Sequence, residues 1–229
     1  MDIRFLGHSC VHIVHEGTHI LIDPFLTGNP VATVKAEEIK ADYILLTHGH
    51  NDHVGDTASI AQANGSTIVA IFELAEYFNS QGLQTFGLSV GGGYSFPFGR
   101  VKMTNALHGT GYMVDHSGKS IYMGVAGGFL LTIGDKTIYH AGDTGLFGDM
   151  ELIGKYNKID VAFLPIGDIY TMGPEDAVIA AKMLGAKEVV PIHYNTFPGL
   201  AQDDEKFVQD LEKQGIRGRI LKPGESFIL

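Results

Sequence analysis

Asp42-Tyr-Ile-Leu-Leu-Thr-His-Gly-His-Asn-Asp-His53 is the stretch on which the reading of this chain turns. Its first half, through Thr47, is a short apolar run that reads as a buried strand. Its second half sets three imidazoles (His48, His50, His53) and one carboxylate (Asp52) within six positions. α/β proteins place their sites at the C-terminal ends of strands, so a strand feeding this cluster marks fold and site together. Imidazole and carboxylate are ligand types for zinc, manganese and iron. A pair of nearby histidines is unremarkable in a chain with 11 of them. Four such groups buried in one loop would repel or stay unsatisfied without a cation.

Around this stretch, strand-like and helix-like runs alternate with no linker, low-complexity segment or short-period repeat. Residues 2–6, 10–15 and 18–23 read as three strands, with Glu16-Gly17 as a hairpin turn. Helical spacing covers Val54–Ala63 up to the stop signal Asn64-Gly65, and again Glu73–Ser80, with a strand at 67–71 between them. Thr85–Leu107 is strand-like with Pro97-Phe98-Gly99 as a turn, and its Gly87–Tyr94 portion lacks the Gly-Lys-Ser/Thr of a phosphate cradle. Ala126–Ile133 and Lys136–His140 read as a hairpin. The final third changes to alternating units: strand 160–164, helix Pro174–Leu184 with proline in the first turn, strand 188–192, helix 203–213 and a last short strand pair. Meandering strands in front and βαβ units behind, with no boundary, predict one domain over 1–229. The expected fold is α/β, two sheets packed face to face with helices outside, a four-layer αββα sandwich.

A chain of 229 residues can bury a sizeable core. No run of 18 apolar residues predicts a membrane span, and the opening residues read as a strand, not a signal peptide. The one cysteine, Cys10, excludes an intrachain disulfide and fits the cytoplasm. A net charge of −10, with 16 Lys and Arg against 26 Asp and Glu, argues against a broad nucleic-acid surface. The expected partner is a small-molecule substrate, and the sequence leaves room for a homo-oligomer.

Four groups in one loop cannot complete two coordination shells. Three further candidates stand at strand-to-loop junctions: His108 after Val101–Leu107, Asp143 within Tyr139-His-Ala-Gly-Asp-Thr144, and His193 at the end of Val189-Val-Pro-Ile-His193. Asp23, ending the third strand, and Thr47, beside the first ligand, are placed to fix imidazole tautomers. The loops Gly109–Lys119 and Ile169–Pro174 also follow strand ends. They read as a substrate lid and as a pocket wall with Tyr170, Thr171 and Met172.

The His48-x-His50-x-Asp52-His53 motif, followed by single His, Asp and His residues, resembles the metallo-β-lactamase superfamily over the whole chain. That family's fold is the αββα sandwich. Gly7-His8, Leu21-Ile-Asp-Pro24, Gly142-Asp-Thr-Gly-Leu-Phe-Gly-Asp-Met150, Leu164-Pro-Ile-Gly167 and His193-Tyr-Asn195 narrow the likeness. They resemble bacterial and archaeal metal-dependent hydrolases related to L-ascorbate-6-phosphate lactonases. The resemblance implies two divalent metal ions per chain, zinc foremost, with manganese, nickel or iron as other occupants. One ion would take His48, His50 and His108, the other Asp52, His53 and His193, with Asp143 bridging. A water shared by two such ions is acidified to hydroxide near neutral pH, and Asp52 would orient it. His8 resembles an N-terminal histidine near the metals of relatives. It would bind substrate or protonate a leaving group, or serve as a structural hydrogen-bonding residue. The implied activity is hydrolysis of a small ester, lactone or phosphorylated metabolite, with a phosphodiesterase or nuclease as the alternative. A redox diiron relative would carry a carboxylate where His50 stands. The best-known zinc β-lactamases carry a cysteine where Asp143 stands.

Overall fold

The computed structural model describes residues 1–114 and 118–229. Residues 115–117, part of the expected lid, and with them His116, lie outside the described residues. The chain folds into two compact units, each built on a seven-stranded sheet.

Unit one comprises Met1–Val90, Gly109–Ala126 and Lys222–Leu229. Its strands lie in the order Ser226–Ile228, Asp2–Gly7, Cys10–His15, Thr18–Ile22, Tyr43–Leu45, Thr67–Ile71, Thr85–Leu88. The first four are antiparallel, as tight turns require, and the rest run parallel across longer connections. Alternation builds the core: Ile3 faces Ile13, which faces Ile20, and all three are fully buried. The helix expected over Val54–Ala63 is two helices, Asn51–Val54 and Thr57–Asn64. Gly55 breaks them at φ 42°, where a Cβ would stand 2.3 Å from the Pro24 carbonyl oxygen. Helical periodicity ran through this break because Ile60 and Ala61 continue the buried stripe. The segment 109–119, read as loop, also holds a short strand, Gly111–Met113, which pairs antiparallel with Ser120–Tyr122 just beyond it in a two-stranded ribbon.

Cys10 is fully buried. Burial, then the Asp23 and Asp56 carboxylates, pushes its thiol well above the ordinary range, so it is no nucleophile. On the same sheet His12 pairs with Arg4 across the strands, and its Nε2 lies 3.2 Å from Nδ1 of His19. Burial, with His19 and Arg4 beside it, lowers His12 from 6.5 to about 4, against the Lys40 carbonyl and Asp2. Between those values the unfolded chain binds the extra proton and the folded chain does not. Stability from this group is therefore complete above the unfolded value and drains away as pH falls toward 4, by at most about 3 kcal/mol. Urea melts of His12→Leu should show a flatter acid limb than the parent over that window.

Unit two comprises Gly91–His108 and Gly127–Leu221. Its order is Arg217–Gly218, Glu188–Ile192, Val161–Pro165, Lys136–His140, Gly127–Ile133, Gly99–Asn105, Gly93–Phe96. The first four are parallel and the last three pair antiparallel. Helix Pro174–Leu184 lays Ala177, Ala180, Ala181 and Leu184 into a core with Leu164, Val189 and Phe207. Met172 joins that core at 1% exposure, so it packs the interior and does not wall a pocket. The helix Met150–Tyr156 was not expected: it is seven residues long with only Met150 buried, too little for a periodic signal. Among the described residues no helix is long and apolar enough to cross a membrane.

Candidate metal centre

In unit one the site grows from the end of two parallel strands. Thr18–Ile22 runs into Asp23, and Tyr43–Leu45 runs into Thr47 and His48. Asp23 is fully buried and accepts three hydrogen bonds: Thr47 N–H at 2.9 Å, the Thr47 hydroxyl at 2.7 Å and His53 Nδ1 at 2.8 Å. The hydroxyl's single proton goes to Asp23, so toward His48 Nδ1, 3.0 Å away, it can only accept. Both His48 and His53 therefore carry their proton on Nδ1 and keep the Nε2 lone pair, the tautomer a metal needs. One carboxylate and one hydroxyl set both rings.

His48 Nε2 lies 3.0 Å from His50 Nδ1. His50 caps the short helix Asn51–Val54, which lifts Asp52 and His53 on its first turn. Ligand atoms of His8, Asp52 and His53 lie within 4.8 Å of one another. The motif donors of unit one form one continuous cluster, since the His48 ring centroid lies 4.6 Å from that of His50 and 4.1 Å from that of His53. His8 sits at φ 56° and is almost fully buried, with Nε2 3.1 Å from Asp52 Oδ2 and its ring edge-on to Phe25. Enclosure by Phe25 and a bond to Asp52 make it a residue that holds Asp52.

Two residues that the motif reading passed over fix the loop itself. Gly49 N–H donates to Thr110 Oγ1 at 2.9 Å, and the Asn51 amide pairs with both the N–H and the C=O of Met113, at 3.0 and 2.8 Å. Asn51 imitates a strand edge and ties the ribbon's first strand to the histidine loop.

In unit two the Asp143 carboxylate is buried between two imidazoles. Its Oδ2 is 3.1 Å from His193 Nε2 and 3.5 Å from His108 Nε2. His108 follows strand Gly99–Asn105, and its loop is tied to the next by Leu107 N–H to Thr144 Oγ1 and Gly145 N–H to the Leu107 carbonyl. His193 turns off the end of Glu188–Ile192 at φ 55°, a conformation that a non-glycine residue holds only at some cost. The imidazole and carboxylate donors of both units are the set that divalent transition ions take.

Replacing Asp23 by Ala removes the acceptor of three buried donors. The expected loss is about 3 kcal/mol of stability and roughly 10–100-fold in metal affinity. Thermal melts and metal titration measure the two, and Asp23→Asn, with one acceptor left, should fall between.

Residues 18–194 match the beta-lactamase superfamily domain. The chain belongs to the metallo-β-lactamase superfamily. Within that superfamily it is 57% identical over its whole length, and the whole of the relative, to a UPF0173 metal-dependent hydrolase from Geobacillus thermodenitrificans. It is 54% identical, again end to end, to one from Bacillus cereus. Igni18, a metallo hydrolase from the archaeon Ignicoccus hospitalis, is a solved structure with TM-score 0.90 at 35% identity, over 100% of this chain and 98% of that one. The protein is thus an enzyme of the metal-dependent hydrolase class, with the mixed α/β fold and two large sheets of its superfamily.

Proposed function

We propose that the seven side chains hold two divalent ions and that the enzyme hydrolyses a small ester, lactone or phosphorylated metabolite. His48, His50 and His108 would hold one ion, Asp52, His53 and His193 the other, with Asp143 shared. The observation that carries this reading is the place of Asp143 between His108 and His193, which is what a bridging carboxylate needs. The gathering of imidazole and carboxylate donors in one cluster of unit one supports it. Residues 1–229 would act as one hydrolase domain. When bound, the ions supply an acidified water and polarise the substrate's carbonyl or phosphoryl oxygen.

The chain's own residues do the rest. Asp23 and Thr47 keep His48 and His53 in the ligating tautomer. Asp52 holds the water's proton and aims its oxygen, and His8 holds Asp52. The sequence strings that resemble those of the lactonases support a lactone as one substrate class. The lone buried Cys10 supports work in the reducing cytoplasm.

Protein reconstituted without chelators should approach two ions per chain by elemental analysis, and turnover in oxygen-18 water should label the product. Saturation at one ion defeats the dinuclear assignment. An unlabelled product, or a need for an electron donor, defeats hydrolysis.

A further inference from the structure

The loops of unit two that adjoin its three candidate ligands have a one-sided composition. Residues 106–108, 141–149, 166–173 and 193–203 contain no Lys or Arg, and their carboxylates are Asp143, Asp149, Asp168 and Asp203. In unit one, residues 7–9, 23–34 and 46–56 likewise hold no Lys or Arg. Phosphate recognition by proteins draws on Arg, Lys or a helix N-terminus, and a phosphate dianion beside these loops would meet carboxylates instead. The helix that follows residue 173 opens with Glu175 and Asp176, which oppose an anion at its N-terminus, and Lys119 in the segment after His108 is exposed.

The same loops expose apolar side chains. Ile169 is 63% exposed, Tyr170 67% and Phe197 39%. They do not belong to slack loops. Asp168 N–H donates to the Met172 carbonyl at 3.0 Å, Thr171 N–H to Asp168, and Met172 N–H to the Thr144 carbonyl at 2.9 Å, while Met172 itself is core. The loop is held closed with Ile169 and Tyr170 between its fixed ends. It runs directly against a candidate ligand: a Cβ on Gly167 would stand 2.4 Å from the His193 carbonyl oxygen and 3.1 Å from His193 Nδ1. The loop carrying Phe197 touches it, since a Cβ on Gly199 would be 3.4 Å from Ile169 Cδ1. An ordered apolar patch joined to a candidate metal ligand, on loops without Lys or Arg, suits an uncharged substrate.

We infer that the substrate is an uncharged carboxylic ester or lactone whose alkyl or aryl arm lies on Ile169, Tyr170 and Phe197, an inference that rests on the hydrolase reading above. In the reaction, the oxygen of water bonds to the acyl carbon and the acyl C–O bond breaks. The departing alkoxide takes one proton of that water, and the other leaves to solvent as the carboxylate forms. No oxidant or further reactant is needed. The arm stays on the patch while the carbonyl reaches the centre, so longer arms gain binding until the patch is covered.

The test compares p-nitrophenyl acetate, butyrate and hexanoate with p-nitrophenyl phosphate and bis-p-nitrophenyl phosphate, all on the metal-loaded full chain. kcat/KM should climb from acetate to hexanoate and stand far above both phosphates. Tyr170→Ser and Ile169→Ser, exposed changes that the fold tolerates, should raise KM for hexanoate about tenfold and flatten the chain-length series. Ile169→Lys should shift the ester-to-phosphate ratio toward phosphate. Faster phosphate hydrolysis, or a flat series in the parent, overturns this inference and leaves the hydrolase reading standing. A serine variant that changes the oligomeric state by sedimentation but not the series makes the patch a contact between copies of this chain, and also overturns it. No turnover of any compound sinks the hydrolase reading, and the inference with it.

Discussion

With Asp143 shared by two ions as proposed, Asp143→Asn abolishes turnover and strips both ions from the protein while the fold stays intact. That is the expected result, and it follows from one carboxylate serving two imidazole ligands. Asp143 Oδ2 is 3.1 Å from His193 Nε2 and 3.5 Å from His108 Nε2, and the group is 2% exposed. Asparagine keeps the volume and loses the charge, and its amide would offer N–H donors where lone pairs are required. Two cations would then face each other with no shared anion between them, at a Coulomb cost steep in a buried site. Metal content by elemental analysis should fall in step with activity. The sheet of unit two should not notice: Asp143 lies in the turn after Lys136–His140, outside the core of unit two. Thermal melts of the metal-free proteins should agree within a few degrees. Near-normal metal content in Asp143→Asn would remove this residue from the site.

Much of this was legible because the chemistry is local in sequence. His48, His50, Asp52 and His53 stand in one loop, so ligand type and spacing could be read together. His108, Asp143 and His193 are candidates singled out one at a time, each by its expected position after a strand, and those strands are observed at Gly99–Asn105, Lys136–His140 and Glu188–Ile192. Helix Pro174–Leu184 matched its expected bounds because proline opens it and Gly185, at φ 58°, closes it. What failed was non-local or weakly patterned. Gly55 splits a helix because the Pro24 backbone lies against it, 31 positions earlier in the chain. Asn51 looked like a spacer in the motif, and its pairing with Met113 spans 62 residues. The ribbon Gly111–Met113 with Ser120–Tyr122 has three-residue strands with no fully buried face, so alternation had nothing to mark. Periodicity reports burial, and where little is buried it is silent.

Asp52→Ala lowers kcat by about 10²–10⁴-fold, with KM close to the parent's. The asymmetry is the informative part. A ligand lost from a metal weakens binding of everything, but a group that aims a nucleophile acts in the transition state and leaves substrate affinity alone. Asp52 is suited to aiming because its side chain is 35% exposed, while His8, which grips its Oδ2 at 3.1 Å, is fully buried. Metal content measured on the same sample separates the two roles, since a loss that metal loading does not restore is a loss of aim. The His8 arm sharpens the result. His8→Ala should lower kcat less than Asp52→Ala does, and His8→Gln, which restores a donor to the carboxylate, should recover part of it. If His8 acts through Asp52, then adding His8→Ala to Asp52→Ala should cost nothing more, because the residue it positions is already gone. Additive losses would mean that His8 touches the substrate on its own account, and equal falls in kcat and metal content would return Asp52 to the rank of a plain ligand.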